Sequence, residues 1–389
     1  MADWPAFERQ IFKKLIDRTK FVFEIREFRR SNTVLKQDFI QIACVSPEFT
    51  VGDIGAATEL ALAKFRDDCT LLRATERHDP IRWETERFSE LQHALETKPD
   101  IICFSELAYP PPLPTDTDWT VEVLRSSIVR KLEFEKRVRD ELMRWKSRAF
   151  LFLGSYHCLT TLYSVGVLFP WGPSFDPVDV YIHGERLGSN VPSQTTQIVP
   201  PIIYRKRFPA RRVGEDTRVP SGQELNIFTR EFGRVSLLIC SDIVDLNQFL
   251  AVARRNRLTQ KYDPIDILLI PSYNESRHLP LMCRELSSVA ATTVVLVNAN
   301  HLQTSFPKTD VFCCGLAIDD LNALQRGETP LVTANVSTVS HSNGRRSTLT
   351  TFSLNAPGVA KLRNELLMYL LRSETEHPLP ENNITRAQI

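Results

Sequence analysis

The sequence predicts an α/β domain of mixed sheets, with two sheets held between layers of helix. Three observations predict it. Apolar runs of strand length alternate with longer stretches of helical periodicity, the pattern of βαβ units. Several strand-like runs follow one another with no helix between them (149–170, 224–240 and 311–336), which requires antiparallel pairs as well as parallel ones. The runs "IICF" and "DILLI" are apolar without alternation, as strands covered on both faces are.

Taken in order, residues 1–31 read as an amphipathic helix with Phe7, Ile11, Leu15 and Ile16 on one face. They form part of an N-terminal helical extension, 1–36. The body, 37–360, opens with the strand "DFIQIACVS" (38–46), a turn at Gly52-Asp53 and a helix, then a second helix near 86–96. "PDIICFSEL" (99–107) is a short buried strand. A long helix spans 117–147, and strands follow at 149–157 and 162–170. Residues 172–202 carry Pro, Gly, Ser and Asn and read as a long insertion placed to roof a site. A strand at 202–208 precedes polar loop. "ELNIFTREFGRVSLLIC" is a strand pair turning at Glu231–Gly233, and "DLNQFLAVARRNRL" is helical. Next come a strand at 266–274, a helix at 281–292 and a strand at 293–300. Strands near 311–319, 330–336 and 347–354 complete the body. Residues 361–389 read as a C-terminal helix and a polar tail.

Bulk properties exclude several functions. A net charge of +1 over 389 residues gives no field to steer the chain to nucleic acid or an anionic membrane. The N-terminus carries charges throughout and lacks the apolar stretch of a signal peptide. No uncharged apolar run reaches membrane-spanning length. The eight cysteines show no CxxC and no zinc spacing. The expectation is a cytoplasmic protein with reduced thiols, no metal or organic cofactor, and no nucleic-acid or membrane partner.

Three strand ends present a reactive group: Glu106 after "IICFS", Lys206 in "IIYRKRF" and Cys240 after "VSLLI". Singly, each has a structural explanation: a helix cap, an edge lysine, a core cysteine. Together they suffice for acyl transfer without histidine. A carboxylate takes the thiol proton, the thiolate attacks, and an ammonium holds the developing oxyanion.

The motifs that carry these residues resemble those of the nitrilase, or carbon–nitrogen hydrolase, superfamily over about 37–355. "PDIICFSELAYP", "YRKRFPARRVGE" and "FGRVSLLICSDI" are similar to its glutamate, lysine and cysteine motifs, in that order. "FIQIACVSPEFTVGDIGAATELA" is similar to its opening strand, turn and helix. "DILLIPSYN" and "CRELSSVAATTVVLVNAN" resemble the strands after the cysteine and the helix between them. The resemblance implies an α-β-β-α sandwich, a homodimer or higher homo-oligomer, and a small amide or nitrile as substrate. It implies Glu106 as general base, Lys206 as catalytic lysine, Glu215 orienting that lysine, and Cys240 as nucleophile. It also implies the Ser241 backbone N–H in an oxyanion hole.

Tyr109 is a candidate to line the pocket or simply to pack, and the Ser241 side chain to help cap the next turn. Tyr273 and Asn274, after a strand end, are candidates to contact substrate or to form a turn. The sequence departs from the family at Ser105, where proline is usual, and at Ser241, where an aromatic is usual. Hydrolysis of an amide, transfer of the acyl group to an amine, and an interaction module without catalysis all stay open.

Overall fold

The computed structural model describes residues 24–30, 38–49, 80–109, 121–157, 164–170, 178–182, 185–189, 201–206, 224–244, 265–274, 276–301, 307–324 and 330–376. In chain order the strands of its first half are β1 (Glu24–Arg30), β2 (Phe39–Ser46), β3 (Glu48–Phe49), β4 (Ile101–Phe104), β5 (Phe150–His157), β6 (Ser164–Phe169), β7 (Val178–Ile182), β8 (Glu185–Ser189) and β9 (Ile202–Arg205). The second half has β10 (Glu224–Arg230), β11 (Gly233–Leu237), β12 (Ile267–Ser272), β13 (Thr293–Asn298), β14 (Asn300–His301), β15 (Asp310–Cys313), β16 (Leu316–Ala317), β17 (Val332–Ser340) and β18 (Arg346–Asn355). The helices are α1 (Pro80–Glu96), α2 (Val121–Arg144), α3 (Leu279–Val289), α4 (Ile318–Leu324) and α5 (Ala356–Glu376).

Among the described residues these strands form two large mixed sheets and one small bridge. The seven-stranded sheet runs β17-β18-β2-β4-β5-β6-β9, and the nine-stranded sheet runs β16-β15-β13-β12-β11-β10-β1-β7-β8. At the heart of the first, β2, β4 and β5 are parallel. At the heart of the second, β11, β12 and β13 are parallel. The flanking pairs are antiparallel, apart from β1 beside β10.

Period-2 alternation sorts the side chains into layers. On β2, Ile40, Ile42 and Cys44 face the other sheet and meet Leu237, Leu269 and Val297 in a shared core. Their neighbours Ala43 and Val45 face outward, against Leu91 of α1 and Val138 of α2. On the other sheet, Leu268, Ile270 and Val294 face outward against Met282 and Leu286 of α3. The molecule is therefore helix, sheet, sheet, helix, as the sequence predicts.

The N-terminal expectation fails where it can be checked. Residues 1–23 lie outside the described residues, but 24–30 form a strand and not the end of a helix. β1 inserts parallel to β10, and the Phe28 ring stacks on Phe228 at 4.9 Å. Glu, Arg and Phe in "EIREFRR" suit a helix by local propensity, and a partner about 200 residues away in sequence overrides it. The 172–202 insertion lies partly outside the described residues, and its reading as a roof with it. Its described parts, β7 and β8, make an antiparallel hairpin that extends the nine-stranded sheet beyond β1.

Candidate active site

Strand ends build the site. β9 is antiparallel to β6, which is antiparallel to β5, so β9 ends on the same side as β4 and β5. Glu106 lies just beyond β4, Lys206 directly beyond β9 and Cys240 just beyond β11. The C-terminal ends of neighbouring strands are where α/β sheets gather chemistry.

Each side chain is aimed by a local cause. Tyr204 of β9 and Lys206 just after it are two residues apart and share the inward face, with 1% and 0% exposure. The Lys206 ammonium donates to Glu106 Oε1 at 2.6 Å. Glu106 is 3% exposed, so the pair is a buried salt bridge. Its corner is tied on both sides. The Ser105 N–H donates to the Val45 carbonyl at 3.0 Å, and the Leu107 N–H to Ser155 Oγ at 3.0 Å. Leu107 takes the left-handed conformation, with φ 61°. Ser105 thus supplies a backbone donor that a proline there would lack.

Cys240 opens a 3-10 turn, Cys240–Val244, in the left-handed conformation with φ 45°. Non-glycine residues there are costly and cluster at functional corners. Asp242 holds that corner: its Oδ2 accepts the Ile239 N–H at 3.2 Å and the Tyr204 hydroxyl at 2.9 Å. One carboxylate thereby links the cysteine turn to the strand that carries Lys206. Burial pushes the Cys240 thiol from 9.0 up to about 12. The Glu106 carboxylate pushes the same way, while the Lys206 ammonium and the Ser272 hydroxyl pull it down. All three predicted reactive groups are therefore electrostatic neighbours, and the resting thiol is protonated at neutral pH.

The other candidates divide. Asn274 reaches the cluster, its Nδ2 lying 3.7 Å from Cys240 Sγ. Tyr273 reaches it through the backbone, donating its N–H to Glu106 Oε2 at 3.1 Å. Its ring instead meets Phe49 edge-on at 5.7 Å. Ser241 follows the thiol in the 3-10 turn and is partly exposed. Tyr109 is not brought in. Its ring packs against Phe134 and Tyr156 on the α2 side, and its hydroxyl lies 3.5 Å from Glu135. Tyr109 is 2% exposed within the core beneath α2. Glu215 lies outside the described residues.

Ser272 and Asn298 were not singled out from sequence, yet both are buried at this end. The available signal was a polar residue closing an apolar parallel strand, in "LLIPS" and "VVLVN". Among the described residues, no three His, Cys, Asp or Glu side chains are grouped to hold a metal ion. No described helix is long and apolar enough to cross a membrane.

No family model matches the chain, and no curated protein matches it. Solved structures do. An amidase from Nesterenkonia sp. is 15% identical, with 87% of this chain and 99% of that chain covered and a TM-score of 0.43. A mutant of the amidase from Nesterenkonia sp. AN1, with the acetamide moiety of fluoroacetamide added covalently at its active-site cysteine, is 14% identical. There 87% of this chain and 99% of that chain are covered, with a TM-score of 0.41. A CN-hydrolase superfamily protein from Xanthomonas campestris, with an arsenic adduct in its active site, is 13% identical. It gives 86% and 97% coverage and a TM-score of 0.48.

Proposed function

We propose that the chain is a cysteine-dependent hydrolase of a non-peptide carbon–nitrogen bond, of the nitrilase-superfamily type, acting on a small amide in preference to a nitrile. One observation carries the reading. A buried Glu106–Lys206 pair from one sheet acts on a buried thiol set at a left-handed corner of the other. Such a pair gains little net stability from its burial, because desolvation offsets the attraction. Its placement beside a nucleophile gives it a use.

The chemistry follows from the partners. Cys240 Sγ attacks the amide carbon as its proton passes to Glu106, which suits a thiol that is neutral at rest. The carbonyl oxygen gains negative charge, and the Lys206 ammonium stabilises it. The C–N bond breaks as Glu106 returns the proton to the nitrogen, and ammonia or an amine leaves. The thioester then takes up water, with Glu106 again accepting the proton, and the carboxylic acid departs as Cys240 Sγ recovers it. Glu215 has the role of orienting Lys206. No cofactor enters these steps, and the working unit in this proposal is a cytoplasmic homo-oligomer.

The test incubates wild type and Cys240→Ala with a panel of simple amides and nitriles, following intact mass and ammonia together. An acyl adduct and ammonia from the wild type, both lost in the variant, are the expected result. Equal ammonia release from both proteins sinks the reading. So does a wild type that forms no adduct and releases no ammonia across the panel.

A further inference from the structure

One turn touches both reacting groups. Beyond β12, the Tyr273 N–H donates to Glu106 Oε2 at 3.1 Å, and Asn274 Nδ2 lies 3.7 Å from Cys240 Sγ. The orientation of the Asn274 amide is set by its other end, because Oδ1 accepts the Ser276 N–H at 2.8 Å. The NH2 group is thus the end presented to sulfur.

That turn is gripped from the neighbouring strand. Asn298, the last residue of β13, is 1% exposed. Its Oδ1 accepts the Asn274 N–H at 3.1 Å, and its Nδ2 donates to the Asn274 carbonyl at 2.8 Å and to the Pro307 carbonyl at 2.9 Å. Only a primary amide fits this set. A carboxylate would put oxygen against two carbonyls, and an aliphatic side chain would take the partner from three part-buried polar groups. The backbone of Asn298 is pinned in turn by Thr309 Oγ1, which accepts its N–H at 3.2 Å and meets Ser46 Oγ at 2.9 Å.

We propose that Asn298 is a positioning residue: it locks the 273–274 turn so that the Asn274 amide donates to the Cys240 thiolate while the Tyr273 N–H holds Glu106. The inference rests on the proposed function in taking Cys240 as the nucleophile. It goes further in assigning the thiolate a donor and in naming the side chain that holds that donor in place. A hydrogen bond to the ionised sulfur favours the thiolate, so loosening the turn raises the pH at which Cys240 becomes reactive.

The test is alkylation of Cys240 by iodoacetamide between about pH 6 and pH 10, read by peptide mass. The proteins are wild type, Asn298→Ala, Asn298→Ser, Asn274→Ala and the control Ser287→Ala. Each is assayed below its melting transition. Ser287 lies on α3, where its hydroxyl donates to the Arg284 carbonyl and accepts the Gly315 N–H. Asn298→Ala and Asn274→Ala are expected to react roughly tenfold more slowly at neutral pH, with the profile displaced upward. Asn298→Ser, with one hydroxyl left for the clamp, should fall between them and the wild type, and it decides the matter if the alanine variant does not fold. Ser287→Ala should lose stability with its profile unmoved.

A reactive wild type with both Asn298 variants superimposed on it overturns the inference and leaves the proposed function standing. An equal displacement in Ser287→Ala also overturns it, because general softening then explains the effect. A wild-type Cys240 inert across the range overturns this inference, because no donor then holds a reactive thiolate; inert and also without an acyl adduct from any amide of the panel, it overturns the proposed function as well.

Discussion

Glu106 and Lys206 are the residues whose loss should separate stability from chemistry. Glu106→Gln keeps the side-chain shape but takes one carboxylate away from the buried Lys206 ammonium. We expect about 1–3 kcal/mol of destabilisation from breaking that charged hydrogen bond. Under the proposed mechanism, ammonia release should also fall by about 10²–10⁴-fold. Replacing both partners by apolar residues of similar volume should recover most of the stability and none of the activity. Urea midpoints and ammonia release, measured on the same three proteins, decide it. If Glu106→Gln is as stable as wild type, the pair is not the buried ion pair described here. Both members were legible in the sequence as polar residues at the ends of apolar strands. Asn298 was equally visible but lacked a reason, because its three partners lie at positions 274 and 307 and meet it only in the fold.

At the scale of elements, strand ends aim the candidate groups and the corners after them hold them. β5 supports the Glu106 corner through Ser155, whose hydroxyl accepts the Leu107 N–H and whose carbonyl accepts the Tyr109 N–H. The approach is close because of Gly154, with φ 104°. A Cβ there would lie 2.6 Å from the Tyr109 nitrogen and 2.9 Å from the Ala108 Cβ. Gly154→Ala should therefore cost about 1–3 kcal/mol through the backbone alone. It should also slow ammonia release by displacing the Glu106 turn, although it touches none of the three reactive groups. A thermal melt and an activity assay check both effects, and an unchanged protein would rule out this support. The elements that the sequence located well, such as β4, β12 and β13, are those whose burial on both faces leaves an unbroken apolar run. β1 was misread because its charged residues carry no such mark.

For the whole molecule, the three-layered core buries thiols as well as hydrocarbon. Burial pushes Cys313 to about 11 and Cys240 and Cys314 to about 12, and it also pushes Cys44, Cys103 and Cys283 upward. The folded state holds these protons to higher pH than the unfolded chain, whose thiols ionise near the ordinary 9.0. Above that pH the unfolded state binds fewer protons, so stability must fall as pH rises. Each thiol contributes at most about 1.4 kcal/mol per pH unit. The urea midpoint should drop between about pH 9 and pH 11, and Cys313→Ala should make the fall shallower. A midpoint flat across that range contradicts the burial.

By itself the sequence determined the layers and singled out Glu106, Lys206 and Cys240 as candidates. Strand burial, helix period and strand ends are written locally, in runs of a few residues. The tertiary structure alone decided that Glu106, Lys206 and Cys240 converge, since they come from two sheets and are separated by 100 and 34 residues along the chain. It also decided that Tyr109 packs against α2, that 24–30 is a strand beside β10, and that Asn298 grips the 273–274 turn. Each of these depends on a partner distant in sequence. Contacts across such separations are set by packing and hydrogen-bond satisfaction, which local propensity does not encode.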